Sequence, residues 1–262
     1  MTLGNCVFQL KEGAGWSRGL DNLLDAELGR WFRTRMWWVQ ILIWAAIINL
    51  TLFFVAISEE SGDIAELALF FNMLLGFFPA MGVCILMQGS IVGEKQSGTA
   101  IWVLSKPTSR PAFILAKLVA NTVGVALTIV LAQGLIAYLI IYVGSGTALS
   151  PLGFLGGLSV QLIHLLFYIT LTLMLGAAFN KRGPVIAIPF VFLFAQQMLL
   201  DSPALSSVLP ATLMAPLENY PSVAAAVMTG SEPLSYLPPV TTLGASVLFV
   251  AIALWIFERL EF

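Results

Sequence analysis

The residues of this chain that could do chemistry fall into one polar segment and a few polar positions within apolar runs. The polar segment, Ile91–Lys117, holds four of the twelve basic residues. Among the polar positions in apolar runs, Gln161 and His164 are three residues apart and therefore share one face of a helix. Together with Gln196 they are candidates for lining a substrate path, because polar groups inside a membrane are costly and tend to be functional. Hydrogen bonding between neighbouring helices is the alternative explanation of the same residues.

A short amphipathic helix is expected in the middle of the polar segment. Ser97-Gly98-Thr99 can begin a helix, and Lys106-Pro107 can end it. A helix of about two turns is unstable in isolation, so Gly98–Lys106 is predicted to bind the surface of a partner. Its apolar stripe consists of Ala100, Ile101, Val103 and Leu104. The residues expected to carry docking are Glu94, Gly98, Thr99, Ile101, Trp102, Leu104 and Lys106.

The sequence offers no recognisable catalytic site. A glycine-rich phosphate loop of the Walker type does not occur, so the chain is not expected to bind ATP by that route. His164 is the only histidine, and the nearest serine motif, Val143-Gly144-Ser145-Gly146, lacks the first glycine of an intramembrane serine protease. Carboxylates in the apolar runs do not have spacings that suit a metal ion or an acid–base pair. We therefore expect no catalytic residue, metal site or cofactor in this chain, which is not predicted to be an enzyme.

The composition indicates a membrane protein with many spans. Of the 262 residues, 59% are hydrophobic and 10% are charged, and the mean hydropathy is +0.93. A soluble domain carries about 25% charged residues, so this chain cannot cover a water-facing surface. Runs of about 20 apolar residues predict spanning helices, and their lack of alternation argues against β-strands. The predicted spans are Trp37–Ile57, Leu67–Val92, Leu118–Val143, Leu152–Phe179, Val185–Leu200 and Val240–Phe257.

The distribution of charge predicts the orientation of these spans. All twelve basic residues lie before Trp37, in the loops 93–117 and 180–184, or after Phe257. Basic residues stay on the cytoplasmic side of short loops, so both termini are predicted to be cytoplasmic in a multi-pass protein of the cell membrane. The opposite loops contain no basic residue and hold Glu59, Glu60, Asp63, Glu66, Asp201, Glu218 and Glu232.

Two further regions complete the predicted all-α architecture. Residues 1–36 form a cytoplasmic tail with an amphipathic helix over Leu20–Met36, expected to lie in the plane of the inner interface; a simple cytoplasmic cap of the first span is the alternative. Residues 37–262 form one membrane domain with six spans. Within it, the outer region 201–239 contains seven of the thirteen prolines. Its short apolar pieces predict re-entrant half-helices, with an ordinary outer loop as the alternative.

The polar segment is similar to that of a known family. Glu94-Lys95-Gln96-Ser97-Gly98-Thr99, followed by Leu104-Ser105-Lys106-Pro107-Thr108-Ser109-Arg110 and then Lys117, resembles the ABC-2 type transporter permeases. Members of that family carry an acidic residue, Gly-Thr, a leucine, a proline and a Ser-Arg pair between their second and third spans. The interfacial helix, the six spans and the broken outer region extend the resemblance over nearly all of the chain. Lys106 departs from the family pattern, in which many members have a small residue, and this departure bears on the choice of partner.

The resemblance implies how such a protein would work. A permease of this kind forms a dimeric membrane domain, with a second copy or a homologous permease, and is served by two ATP-binding cassette subunits that bind ATP and Mg. A coupling helix near Gly98–Lys106 would pass their motion to the spans, and Glu94 would form a salt bridge at the docking surface or remain a plain interfacial carboxylate. The expected function is the movement of an unidentified substrate across the membrane, by family analogy its export. The expected surroundings are the lipid bilayer, with no nucleic acid.

Two other classes of function fit some of these features. A membrane anchor or sensor could recruit an ATPase without transporting anything. A secondary carrier would be expected to show inverted repeats and coupling carboxylates within the spans, and neither is visible in the sequence.

Overall fold

The chain forms a bundle of long apolar helices. A computed structural model describes residues 15–58, 63–200, 202–217 and 220–259, and in these ranges the regular structure is helical apart from one isolated β-bridge between Leu217 and Tyr220. Lys11, Glu59, Glu60, Asp201 and Glu218, which belong to the predicted charge pattern, lie outside the described residues. The ten α-helices are α1 (Leu20–Phe32), α2 (Met36–Ala56), α3 (Ile64–Gln96), α4 (Thr99–Leu104), α5 (Arg110–Ser145), α6 (Pro151–Ala178), α7 (Arg182–Met198), α8 (Pro203–Ser206), α9 (Val223–Thr229) and α10 (Leu237–Arg259).

Five of these helices are long and apolar enough to cross a membrane, namely α2, α3, α5, α6 and α10. They correspond to five of the six predicted spans. The remaining predicted span, Val185–Leu200, falls on α7. This helix has 17 residues and is therefore about 25 Å long. That length is somewhat less than the roughly 30 Å of a hydrocarbon core.

Two helices are much longer than their predicted spans, and this corrects the predicted loop 93–117. The 33 residues of α3 and the 36 residues of α5 give rods of about 50 Å and 54 Å. Only residues 97–109 remain between them, and α4 occupies part of that stretch. Both rods exceed the hydrocarbon thickness by about 20 Å. Helix α3 ends and α5 begins at the same end of the bundle, which we call the basic end.

The centre of the bundle is α6, whose apolar stretch is the most completely buried of the five. Close approach of its neighbours depends on glycine. A Cβ atom added to Gly157 would lie 2.2 Å from Met228 Cγ and 2.7 Å from the Ala224 carbonyl, both of α9. Gly153 likewise faces the carbonyls of α9 at 3.0 Å. The Gly153-x-x-x-Gly157 spacing therefore serves a contact within the chain.

The proline-rich outer region packs deep into the bundle. The 3-10 turn Pro210–Leu213 and helix α9 are almost entirely buried. The carbonyl of Pro210 lies 3.0 Å from His164 Nδ1. His164 is 13 residues from the start of α6 at Pro151, so this contact lies about 20 Å along that helix.

The predicted amphipathic helix is present as α1 and packs against α5. It was expected over Leu20–Met36 in the plane of the interface, and it ends at Phe32. Successive contacts run in step along the two helices: Gly19 meets Thr108, Glu27 meets Lys117, and Trp31 meets Asn121. Helix α1 therefore runs beside the first half of α5. The ion pair between Glu27 and Lys117 and the packing of Trp31 against Gly124 hold it there.

The glycine contact between α6 and α9 gives a test of the fold. Gly157→Ala should lower the free energy of unfolding by about 1–3 kcal/mol, because its methyl group would overlap Met228 and the Ala224 carbonyl. The measurement is thermal unfolding in detergent, followed by tryptophan fluorescence.

The matched control is Gly89→Ala, also within a long apolar helix, where an added Cβ has no neighbour within 4 Å. It should leave the unfolding midpoint unchanged or raise it slightly, because alanine favours helix. Equal midpoints for the two variants would contradict the described packing of α9.

Candidate functional site

The predicted docking helix is present as α4, Thr99–Leu104, and it has two distinct faces. Ala100 is fully buried, while Val103 and Leu104 are partly buried against the hydrophobic core. On the opposite face, Ile101 is 50% exposed and Trp102 is 61% exposed. One side of this helix therefore fixes it to the bundle, and the other presents two large apolar side chains.

Lys106 completes the exposed face. Its Nζ lies 3.5 Å from the centre of the Trp102 ring, which is a cation–π contact. The ammonium group holds the indole in place and leaves its own remaining hydrogen-bond donors to the surroundings. The exposed face therefore combines an aromatic side chain, an aliphatic side chain and one positive charge.

The ends of α4 explain why glycine and hydroxyl residues surround it. Gly98 precedes the helix with φ +74°, a left-handed conformation that side chains disfavour. The Thr99 hydroxyl lies 2.8 Å from that of Ser97. At the other end, Thr108 Oγ1 donates to the Val103 carbonyl at 2.9 Å. Gly98 and Thr99, predicted as docking residues, thus shape the helix and its entry turn.

The segment after α4 is tied to the start of the described chain. The Ser109 amide donates to the Arg18 carbonyl at 2.9 Å, and the Ser109 hydroxyl bonds the Trp16 carbonyl. Gly19, also left-handed at φ +79°, lies against Thr108, where a Cβ would approach to 2.6 Å. Contacts within the chain therefore hold this short helix at its buried face and at the segment that follows it.

A buried ion network lies behind α4 and joins three helices. Lys117 of α5, which is 1% exposed, donates to Glu27 at 2.6 Å and to Glu94 at 2.7 Å. Arg30 donates to the same two carboxylates at 3.2 Å and 2.9 Å. Two acids and two bases give no net charge. The network connects α1, the last turn of α3 and the second turn of α5.

Glu94, which is predicted to form a salt bridge at the docking surface, forms its ion pairs within the chain. The residue is 8% exposed, and its Oε1 atom accepts from both Lys117 and Arg30. Within the chain, this carboxylate is thus shared between two basic side chains. Glu94 supports α4 from behind, through the end of α3.

Arg30 is the outward member of the network. Burial of part of its guanidinium would by itself lower the pKa of Arg30, but the charge of Glu27 and the hydrogen bond to Glu94 outweigh this and raise it. Its side chain is 58% exposed. Arg30 therefore closes the network on the side that faces water.

The last turn of α3 also holds the connection between α6 and α7. Lys95 Nζ donates to the Ala177 carbonyl, and Gln96 Nε2 donates to the Asn180 carbonyl at 2.9 Å. These carbonyls belong to the end of α6 and the turn that follows. A displacement of α4 would thus act on α3 and α5, and through α3 on α6 and α7.

The polar residues predicted as a substrate path lie in the packed interior. Gln161, His164 and Gln196 each have no exposed surface. Gln161 donates to Asn72 of α3 at 2.8 Å, and Gln196 donates to the Tyr168 hydroxyl at 2.6 Å. His164 and Tyr168 are in edge contact, so the predicted residues belong to one polar row across α3, α6 and α7. Hydrogen bonding between helices, the alternative explanation, accounts for the contacts seen.

Sequence reasoning missed most of the ion network. It identified Lys117 only as the end of a loop, and it did not single out Glu27 or Arg30. The available signal was a lone lysine within the apolar stretch Phe113–Val119, since a buried ammonium needs a carboxylate. Which carboxylates would reach it is a long-range property of the fold. Among the described residues, no three His, Cys, Asp or Glu side chains form a group that could hold a metal ion.

The five long apolar helices indicate a multi-pass helical membrane protein. Residues 36–262 match the family described as "Protein of unknown function (DUF2705)". The match covers α2 to α10, and the chain belongs to this family. No curated protein matches the chain.

The ion network predicts a large effect of removing its central cation. Lys117→Met should lower the free energy of unfolding by about 3 kcal/mol, because it leaves Glu27 and Glu94 buried together with only Arg30 for compensation. Chemical or thermal unfolding of the purified chain in detergent measures this.

The control is Lys106→Met, which removes an exposed lysine and should leave the unfolding midpoint unchanged. The double variant Glu94→Gln/Lys117→Met should recover part of the loss, because it also removes an unpaired charge. Equal effects of the two single lysine variants would show that the network does not stabilise the fold.

Proposed function

We propose that this chain is the membrane-spanning subunit of an ATP-driven transporter of the ABC-2 type, powered by a separate ATPase. The observation that carries the proposal is the exposed pair Ile101 and Trp102, presented on a helix whose other face is built into the bundle. The pair lies within the motif from Gly98-Thr99 to Lys106-Pro107, which resembles the coupling helices of that family. The resemblance therefore falls on a helix with an exposed apolar face.

The depth of α4 favours a protein partner over lipid. It follows the last residue of α3, about 50 Å from the first residue of that helix. A bilayer measures about 40–45 Å including its headgroups, and a typical tilt shortens the rod only slightly. With the start of α3 placed at the outer headgroups, Trp102 would lie at or beyond the inner headgroups, where an exposed apolar pair has no hydrocarbon to enter.

The proposed topology has six spans with both termini in the cytoplasm. In it α7 is the fifth of the six spans in chain order, and the deeply packed outer region completes the crossing that α7 leaves short. The contact between Pro210 and His164, about 20 Å along α6, supports a re-entrant path for this region. The clustering of all basic residues at one end of the helices supports a cytoplasmic basic end.

The proposed assembly contains two such membrane subunits, identical or homologous, and two ATPase subunits that bind ATP and Mg. Closure of the ATPases would press on Ile101 and Trp102. The ion network would then carry the displacement into α1, α3 and α5, and the bonds of Lys95 and Gln96 would carry it to α6 and α7. The substrate is unidentified, and export is the direction that the resemblance implies.

A photo-crosslinking experiment tests the docking role. A benzoylphenylalanine at Ile101 should form an adduct in native membranes with a protein that contains a Walker motif and binds ATP. The same residue at Leu50, equally exposed at 50% but on an apolar span, is the matched control and should not. An Ile101 adduct only with lipid, or with a protein that lacks a nucleotide site, would overturn the proposal.

A second measurement separates transport from mere anchoring. The complex purified through the tagged chain should hydrolyse ATP, and Lys117→Met should lower this rate while the ATPase stays bound, because the network lies between the docking helix and the spans. A variant chain that is folded and binds the ATPase without any change in rate would favour an anchor or sensor.

A further inference from the structure

The first and third long helices each contain one turn of π-helix, and the two turns are joined. Residues Ala45–Asn49 of α2 and Ala126–Leu131 of α5 have π geometry. A π turn adds a residue to the turn, so it disturbs the regular backbone bonding and lets the helix bend. The long helices α3, α6 and α10 have continuous α-helical assignments over their described lengths.

The Gln133 side chain bonds to the backbone of both helices. Its Nε2 donates to the Ile41 carbonyl of α2 and to the Thr128 carbonyl of α5, each at 3.1 Å. Thr128 lies within the π turn of α5, and Ile41 lies one turn before that of α2. Both donors of the Gln133 amide are therefore used, one in each helix.

Asn49 of α2 forms a further hydrogen bond with Gln133. Its Nδ2 donates to Gln133 Oε1 at 2.7 Å. Gln133 has no exposed surface, and Asn49 is 3% exposed. In the described part of the chain, Asn49 Oδ1 has no hydrogen-bond partner. Asn49 thus has an unused acceptor inside the bundle, which would allow it to change partners.

An apolar groove lies between the same two helices, beyond the π turns. It has a volume of about 390 Å³, and its walls include Phe53, Ala56 and Ile57 of α2, with Leu139 and Val143 of α5. At its far end the helices touch, since a Cβ added to Gly144 would lie 2.8 Å from Ala56 Cβ. A change in bend at either π turn would move one wall of this groove relative to the other.

We propose that Gln133 and Asn49 form a clamp that locks two hinges to each other, so that the far halves of α2 and α5 move as one unit and set the width of this groove. A change of bend in one helix pulls on the carbonyl that the shared amide binds in the other. The clamp would operate in the chain alone and does not depend on an ATPase partner.

The test measures distance across the groove. Spin labels on Ile57→Cys and Val143→Cys, two exposed groove positions, are introduced in a Cys6→Ser/Cys84→Ser background and reconstituted in lipid nanodiscs. Pulsed and continuous-wave electron paramagnetic resonance give the distribution of distances. With the clamp intact, we expect one narrow population.

Gln133→Leu should broaden the distribution of distances between the two spin labels and add a second, longer distance. Asn49→Leu should do the same. The double variant should not broaden it further, because either change opens the same clamp. Gln88→Leu, the same substitution in α3, is the matched control and should keep the narrow population. If Gln133→Leu lowers thermal stability but leaves the distances as in Gln88→Leu, the clamp is only a packing contact and the proposal is wrong.

Discussion

The basic end of the molecule depends on the burial of one ammonium group, that of Lys117. An unpaired ammonium in such a place would cost several kcal/mol, so carboxylates must come to it. Glu27 brings α1, and Glu94 brings the last turn of α3. The position of α1 beside α5 and the continuation of α3 as far as Glu94 both follow from this requirement. Because α4 begins three residues after the end of α3, its position is set by the same ion pairs.

Apolar length predicted five of the spans, since a bilayer demands about 20 such residues whatever the rest of the fold does. It did not predict where the helices end. Apolarity reports the part of a helix in contact with lipid, and α3 and α5 continue past it into a polar cluster that depends on distant residues such as Glu27. Helix α1 was not predicted to pack against α5, for the same reason. Its amphipathic stripe suits an interface as well as it suits α5, and only the slot at Gly124, where a Cβ would lie 2.3 Å from the Trp31 ring, distinguishes them.

The polar residues of the interior show what a single sequence can and cannot give. The helix period placed Gln161 and His164 on one face of α6, and the structure has them there. Their partners were not predictable, because they come from remote segments of the chain. Gln161 bonds to the Asn72 side chain, and His164 bonds to the Pro210 carbonyl. A proline-rich segment leaves carbonyls without helical donors, and a carbonyl only accepts, so the imidazole donates from Nδ1. The histidine thereby stabilises an irregular segment at a depth where water is scarce.

The exposed apolar surface of a membrane protein is normally explained by lipid, and on the long helices of this bundle lipid is a sufficient explanation. The pair Ile101 and Trp102 differs because it lies on a short helix outside the five long apolar helices. Burying the inner face of α4 already stabilises this short helix, so its outer face is not required for folding. An exposed tryptophan that folding does not need, in cation–π contact with Lys106, is the surface on which recognition of a partner would be built.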